Sequence, residues 1–345
     1  MKFDYCIGNP PYQVLDGGAQ ASAKPVYQYF SETAKDIATV NCFVQPSRWM
    51  TGGKGLDDYR NTMIHDKHVK LLHDYADSKE VFANVDIKGG VCVYIRNEHY
   101  EGDCKCIRHD SYGITESIRP LCDGTDSIFI REPMLVTIKN KVDLSNGSIE
   151  DIASPRKPYG FRGDIFKNES KYGLPKMSNI PIKDGYTVLG LDGLKRVNRY
   201  VDKNYPFPKK QNLNKYKLFV TRNYGCGEIG EIPATPVLAT PTMACTETFI
   251  EIGSFDTQEE LNNLYHYFCT KFFRAMVGVR KQDQGAARQV YHYVPLQDFT
   301  SNSDIDWTQS IANIDKQLYK KYNLSKEEID FIETHVKEMN WYGDE

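Results

Sequence analysis

Apolar residues follow two different patterns along the first part of the chain, namely short apolar runs and positions three or four residues apart. Four short apolar runs predict buried strands, and they are Phe3–Ile7, Val40–Val44, Val69–Tyr75 and Val91–Ile95. Helices are predicted at Tyr27–Ile37, where apolar residues lie three and four positions apart, and at Leu56–His65. Alternation of strand and helix is typical of a doubly wound α/β sheet, in which ligands bind at the carboxyl ends of the strands.

The pattern becomes irregular from about residue 108, where Gly and Pro are frequent. Short strands are predicted at Met134–Lys139, Lys217–Thr221 and Thr248–Ile252. A long aromatic helix is predicted at Glu259–Val277, and two further helices at Trp307–Tyr322 and Ser325–Met339. Ser325 followed three residues later by Glu328 forms a capping box. The pattern predicts three parts: an α/β domain (1–107), an α+β domain (108–300) and a helical segment (301–345).

Composition excludes several classes of protein. The 345 residues are 40% hydrophobic and 26% charged, as in globular proteins, and the mean hydropathy is −0.54. No apolar run approaches the about 18 residues that a membrane span needs, and the first residues lack the features of a signal peptide. Nine cysteines without paired spacing predict reduced thiols and a cytoplasmic location. Cys104, Cys106 and Cys122 lack an obvious fourth ligand, so no metal site is predicted.

Charge is distributed unevenly along the chain, although its formal net charge is only −3. Residues 155–222 contain 16 basic and 5 acidic side chains, a net charge of +11, with aromatic residues interleaved. From residue 301 onward, 10 acidic residues face 5 lysines. A basic region inside an acidic chain is typical of a module that binds a polyanion, and the alternative is a solvated lysine-rich surface.

A short motif follows the first predicted strand directly. It is Asn9-Pro10-Pro11-Tyr12, and it resembles motif IV of amino methyltransferases, which methylate exocyclic or amide nitrogens with S-adenosylmethionine. The Asn9 side-chain oxygen and the Pro10 carbonyl can accept both hydrogens of an exocyclic amine and draw its nitrogen toward tetrahedral geometry. The prolines fix φ, so these acceptors are in place before the substrate binds. The alternative is a chance Pro-Pro turn after a strand.

The resemblance extends to other segments. They are Phe43–Trp49, Glu80–Phe82, Asp86–Val91, Asp304–Trp307, Ile314–Tyr319 and Glu327–Glu333. Together they resemble Eco57I-type restriction-modification methylases, which implies an adenine-N6 DNA methyltransferase acting on a base extruded from duplex DNA. It also implies a partial Rossmann-like methyltransferase sheet, an α+β target-recognition domain and a helical C-terminal tail. Tyr12 and Phe82 would be the two faces of a base sandwich, although Phe82 could instead be a core aromatic residue.

The cofactor-binding loop of this family is the point where the sequence departs from it. In the family, a Gly-rich loop lies N-terminal to the motif, but only eight residues precede Asn9. Gly225–Gly230 matches Gly-x-Gly-x-x-Gly by letter, yet Pro233 and Pro236 exclude the helix that should follow. We therefore expect a chain that is inactive alone, with the cofactor-binding half on a longer polypeptide or a separate subunit.

The missing half has a consequence for the first strand. Phe3–Ile7 can pair with Val40–Val44 on one side, and its other edge has no expected neighbour. An apolar strand with an unpaired edge tends to pair with another chain. We expect this edge to be covered by a second copy, a neighbouring molecule or another segment of this chain.

The basic region and a later loop supply the candidate DNA contacts. These residues are Arg156, Lys157, Arg162, Arg196, Arg199, Lys209, Lys210, Arg280, Lys281 and Gln282. Arg and Lys suit guanine edges and phosphates, and Gln suits adenine edges. Two other functions stay open from the residues alone. One is a DNA-binding specificity protein without catalytic activity, and the other is a methyltransferase for an RNA base or a protein glutamine.

Overall fold

The computed structural model describes residues 2–14, 24–51, 53, 55–122, 124 and 127–339. The chain divides into two compact units, Met1–Val136 and Thr137–Glu345. The predicted boundary between residues 107 and 108 is therefore wrong, because it lies inside a strand, Cys104–Asp110. Residues 301–339 belong to the second unit and do not form a separate one.

Unit 1, Met1–Val136, is built on a sheet with helices. Its strands are β1 (Phe3–Gly8), β2 (Gln13–Val14), β3 (Lys24–Pro25), β4 (Ala38–Pro46), β5 (Val69–Tyr75), β6 (Val91–Asn97), β7 (Cys104–Asp110) and β8 (Gly113–Arg119). Its helices are α1 (Tyr27–Ile37) and α2 (Asp57–Ile64), with 3-10 turns at Ser47–Met50 and Ser78–Glu80. The four strands and two helices predicted in this region are confirmed, with ends shifted by up to two residues.

The main sheet has the strand order β1-β4-β6-β5-β7-β8. β1 pairs parallel with β4, and β5 pairs parallel with β7, whereas β6 runs antiparallel to both of its neighbours. The sheet is thus mixed rather than wholly parallel, because residues 76–90 connect β5 to β6 without a crossover α-helix and contain only the 3-10 turn Ser78–Glu80. Since β1, β4, β5 and β7 point the same way, the loops after them emerge at one edge of the sheet.

One face of this sheet carries the core of unit 1. The core contains Tyr27 from α1, Tyr59 from α2, Trp49, Phe43 and Tyr94, each at most 4% exposed. Trp49 stacks on Phe129 at a ring distance of 6.5 Å. The opposite face is less covered, because Cys42, Val44, Leu71, Val93 and Ile95 are only half-buried.

Unit 2, Thr137–Glu345, contains two small sheets and several helices. Its strands are β9 (Tyr186–Asp192), β10 (Lys195–Val201), β11 (Tyr216–Thr221), β12 (Val237–Ala239), β13 (Met243–Cys245) and β14 (Phe249–Phe255), ordered β10-β9-β13 and β12-β11-β14. The helices from residue 133 onward are α3 (Pro133–Lys141), α4 (Ile149–Ile152), α5 (Ile165–Asn168), α6 (Gln258–Cys269), α7 (Lys271–Gly278), α8 (Ile311–Lys321) and α9 (Lys326–His335).

Two predicted elements are wrong in type or in continuity. Met134–Lys139 lies in helix α3 rather than in a strand; Leu135 and Ile138, three residues apart, are both buried, and Pro133 suits a helix start. The predicted helix Glu259–Val277 is broken at Thr270, which has an extended backbone. The Thr270 hydroxyl accepts the backbone N–H of Phe273 at 3.1 Å and thereby caps α7.

The C-terminal helices pack within unit 2. The predicted capping box is confirmed, because Ser325 Oγ accepts the Glu328 N–H and Glu328 Oε2 accepts the Ser325 N–H at 2.7 Å. The Asp315 carboxylate on α8 accepts the N–H groups of Lys271 and Phe272 at the start of α7. No helix within the described ranges is long and apolar enough to cross a membrane.

Candidate active site and nucleic-acid interface

Asn9 and Pro10 lie directly after β1, at the edge where the parallel strands end. Gly8, the last residue of β1, lets the backbone pass close to the Phe43 ring, because an added Cβ would lie 3.1 Å from that ring. Pro10 is buried, whereas Asn9 is exposed and forms no hydrogen bond with any residue that the structure describes. The Asn9 amide is therefore held on a buried proline and is available to an external donor.

Tyr12 is anchored to the core of unit 1. Its ring meets Tyr27 edge-on at 6.5 Å, and its carbonyl accepts the Val26 N–H at 3.2 Å. Burial raises the pKa of the Tyr12 phenol to about 12, so its half-buried ring is neutral at physiological pH. The Tyr12 hydroxyl has no hydrogen-bond partner among the described residues. The ring is thus fixed on one side and retains accessible surface.

Phe82 lies in the turn that follows β5. Its N–H donates to the Ser78 carbonyl at 2.8 Å and its carbonyl accepts the Val85 N–H at 3.0 Å. Phe82 is half-buried and outside the core cluster of unit 1, which argues against the core alternative. β1 and β5 end at the same sheet edge, about 14 Å apart across three strand spacings. The structure shows no ring contact between Tyr12 and Phe82, so the base sandwich stays a prediction.

A buried ion network lies between the ends of β4 and β5 and the turn before β6, and sequence reasoning missed it. Arg131 binds both carboxylate oxygens of Asp74 and donates to the Gly89 carbonyl at 3.0 Å. Ser47 donates its hydroxyl to Asp74 at 2.9 Å and its N–H to the Gly90 carbonyl at 3.0 Å. The network ties the end of β4 to the turn before β6. No sequence signal identifies it, because Asp74 and Arg131 are 57 residues apart.

The Gly225–Gly230 loop does not fit a cofactor. The N–H groups of Cys226, Gly227 and Glu228 all donate to one carboxylate oxygen of Glu231. The anion-binding concavity that such a loop offers to a phosphate or carboxylate is therefore already filled by this chain. The Gly-rich segment is a turn within unit 2.

Glu231 also forms a buried ion pair with Lys281. Burial acts to raise the pKa of the Glu231 carboxyl, but the Lys281 ammonium and the loop N–H groups outweigh it and lower the pKa. Lys281 is 3% exposed, and its ammonium lies 4.4 Å from the centre of the Tyr224 ring. The prediction that Lys281 contacts DNA is wrong, because its charge is satisfied inside unit 2.

Glu231→Gln is expected to lower the free energy of unfolding by about 3–5 kcal/mol, because the buried Lys281 ammonium loses its partner. The lowered pKa means that this stabilisation is present above about pH 4.5 and is lost as the pH falls through the folded-state pKa. The difference from wild type should therefore shrink below pH 4.5 in urea titrations. Glu228→Gln, in the same loop but exposed, is the control and should change stability little.

The other candidate DNA contacts differ in availability. Lys209 and Lys210 are exposed and form no ion pair with a residue in the described ranges. Arg162 is exposed beside the Tyr172 ring. Arg156 pairs with Glu247 at 2.7 Å but keeps 58% of its side chain exposed. The remaining candidates are half-buried, and they are Lys157, Arg196, Arg199, Arg280 and Gln282.

Metal binding finds no support in the described ranges, where no group of three or more His, Cys, Asp or Glu could hold an ion. The nine cysteines are free thiols, and Cys104 and Cys106 lie two residues apart on β7.

Comparison with known proteins points to restriction-modification methylases. Residues 1–82 match the Eco57I restriction-modification methylase family. An uncharacterized adenine-specific methylase of Mycoplasma pneumoniae (strain ATCC 29342 / M129 / Subtype 1) is 34% identical over 163 residues. That match covers 43% of this chain and 38% of the relative, so the shared segment spans well under half of the relative's length.

The fold is similar to that of a solved restriction-modification enzyme. The Type IIL enzyme MmeI, whose structure was determined in complex with DNA, matches 96% of this chain with a TM-score of 0.53. The sequence identity is 10%, so the likeness concerns the fold alone, and the chain corresponds to 56% of the MmeI chain. The chain thus resembles the Eco57I restriction-modification methylases in sequence over its first 82 residues and a Type IIL restriction-modification enzyme in fold over nearly all of its length.

Proposed function

We propose that this chain forms the target-base and DNA-recognition part of a site-specific adenine-N6 DNA methyltransferase of a restriction-modification system. The observation that carries the proposal is the Asn9-Pro10-Pro11-Tyr12 motif at the carboxyl edge of the sheet, with a free Asn9 amide on a buried Pro10. The methylase family match over residues 1–82 and the adenine-specific relative support it.

The proposed chemistry concerns the amine that receives the methyl group. The lone pair of the adenine N6 amine is delocalised into the ring, so the amine is a weak nucleophile. Asn9 Oδ1 and the Pro10 carbonyl accept its two hydrogens and favour a pyramidal nitrogen whose lone pair points away from the ring. Because Pro10 and Pro11 restrict the backbone, the acceptors need little reorganisation when the base arrives.

The target adenine is proposed to leave the DNA duplex and stack between Tyr12 and Phe82. Extruding a base costs a few kcal/mol, and stacking on an aromatic ring contributes about 1–3 kcal/mol per base. Two aromatic faces can therefore offset much of the cost. Duplex DNA itself is proposed to bind unit 2, where residues 155–222 carry a net charge of +11.

S-adenosylmethionine is the proposed methyl donor, and its binding is assigned to a further polypeptide segment. β1 is the edge strand of its sheet and pairs parallel with β4. Parallel strands are normally buried on both faces, yet Tyr5 and Ile7 are 69% and 77% exposed. No described segment of this chain pairs with the outer edge of β1. We propose that the cofactor-binding half adds a strand at this edge and covers this face.

If the outer edge of β1 pairs with another polypeptide in the complete enzyme, the isolated chain should self-associate through this edge. We expect Tyr5→Lys/Ile7→Lys to shift the chain toward monomer and raise its solubility, because charged side chains oppose edge pairing. Light scattering after size-exclusion chromatography measures the change. Ile180→Lys is a matched control, since Ile180 is 74% exposed in unit 2. An equal effect of both variants would contradict the assignment of the edge.

Cofactor binding by the isolated chain should be weak or absent, because the Gly225–Gly230 loop is filled by Glu231. Calorimetric titration with S-adenosylmethionine is expected to show no micromolar site. A micromolar affinity would mean that the cofactor assignment is wrong.

The function itself is tested by methyl transfer to DNA. The chain is combined with a polypeptide that supplies the proposed cofactor-binding half and is given labelled S-adenosylmethionine and duplex DNA. The DNA nucleosides are then analysed by mass spectrometry. Appearance of N6-methyladenine supports the proposal. Labelling of RNA or of a protein glutamine would favour those substrates, and DNA binding without labelling would indicate a specificity protein.

A further inference from the structure

The β9–β10 hairpin in unit 2 ends in an exposed leucine. Its loop has two residues, Gly193 and Leu194, closed by the facing pair Asp192 and Lys195. Gly193 has a φ of +62°, and a glycine with positive φ at the first loop position is what a type II′ hairpin turn requires. Leu194 therefore occupies the apex, where its side chain is 98% exposed, the highest value among the large apolar side chains within the described ranges.

The hairpin that carries Leu194 is firmly built. Its strands pair without a bulge from the apex to Val201 and Tyr186. Gly190 on β9 leaves room for the Phe166 ring, since an added Cβ would lie 2.4 Å from it. The Arg196 guanidinium on β10 lies 5.6 Å from the centre of the Phe249 ring. The apex is thus a rigid projection. A side chain can enter a closely stacked structure only if the backbone that carries it is held firmly.

Cations surround the base of this projection. Lys195 is exposed next to the apex. Lys167 and Arg199 both contact Asp192, at 2.7 and 3.5 Å, and thereby compensate the carboxylate nearest to Leu194. Three cations, Lys195, Lys167 and Arg199, therefore stand against one carboxylate. A single exposed apolar residue is common on protein surfaces. A leucine at an apex that cations surround is different, because it matches a ligand in which an apolar stack is flanked by anions.

We propose that Leu194 is a wedge that enters a base step of duplex DNA while the surrounding cations contact the adjacent phosphates. The inference rests on the proposed function, because it takes duplex DNA as the ligand of unit 2. Leucine is one of the side chains that DNA-bending proteins insert between base pairs, which unstacks the step and kinks the duplex. Opening one step weakens the stacking of its neighbours, so the wedge lowers the energy needed to extrude a nearby base.

Helix unwinding tests the wedge without knowledge of the recognition sequence. A closed circular plasmid is relaxed by a topoisomerase in the presence of the chain, and the linking number is read after the protein is removed. Insertion between base pairs unwinds DNA, so the wild-type chain is expected to lower the linking number in proportion to the amount bound. Leu194→Ser is expected to lose this change while its plasmid affinity falls less than about tenfold, because the phosphate contacts remain.

Two further variants separate the wedge from general effects. Leu194→Met keeps an apolar apex and should retain the unwinding, and Ile180→Ser removes another exposed apolar side chain of unit 2 and should also retain it. Binding of the wild-type chain without unwinding, or equal unwinding by Leu194→Ser, would overturn the wedge and leave the proposed function intact. No plasmid binding by the wild-type chain at low salt would instead overturn the proposed DNA function together with the wedge.

Discussion

Replacing Asn9 with alanine is expected to lower methyl transfer by about 10²–10³-fold in an enzyme that includes the cofactor-binding half, by analogy with removal of one preorganised hydrogen-bonding group from an active site. The variant loses the side-chain acceptor for one N6 hydrogen, so the amine is less readily pyramidalised. DNA affinity should stay nearly unchanged, since the candidate DNA contacts lie in unit 2. Single-turnover methylation of duplex DNA measures the first quantity, and a filter-binding titration measures the second.

The structure offers a control for this result. Asn9 is exposed and forms no hydrogen bond with any residue of the described ranges, so Asn9→Ala should leave the thermal unfolding temperature unchanged. Asn9→Asp retains acceptor oxygens at the same position and should keep more activity than alanine. Full activity of Asn9→Ala would refute the role assigned to the motif.

DNA affinity of the chain is expected to fall about 10³–10⁵-fold between 50 and 200 mM salt, the range for 6–10 phosphate contacts. Lys209→Gln/Lys210→Gln should weaken binding at all sequences and reduce the slope of log affinity against log salt by about 1.8. These two lysines are exposed and form no ion pair with described residues, so their ammonium groups are available to phosphates. Fluorescence anisotropy over a salt series measures both effects.

A lysine outside the basic region provides the comparison. Lys326→Gln removes one exposed charge that pairs with Asp330 on α9, and it should leave the salt slope unchanged. A flat salt profile, or an equal loss of affinity in Lys326→Gln, would show that residues 155–222 do not form the DNA-binding surface.

Secondary structure in unit 1 could be predicted from the sequence because its signals are local. Tyr27–Ile37 is a helix with the predicted ends, since its apolar residues recur at helical spacing. The same approach was wrong at Met134–Lys139, where a short apolar run is compatible with either a strand or a helix. It also missed the break at Thr270, because the aromatic pattern of Glu259–Val277 continues through a residue whose hydroxyl caps a new helix.

The candidate site divides in the same way. The sequence by itself determined the Asn9-Pro10-Pro11-Tyr12 motif and the basic region, because adjacent residues and summed charges do not depend on folding. Only the tertiary structure decided that Lys281 is buried against Glu231, that Glu231 fills the Gly-rich loop, and that β1 lies at the sheet edge. Burial and pairing join residues far apart in sequence, such as Glu231 and Lys281, and no local pattern specifies which of them meet. Whether a charge or a strand edge is available to a partner therefore depends on the fold, whereas the functional groups of the motif follow from the amino-acid sequence alone.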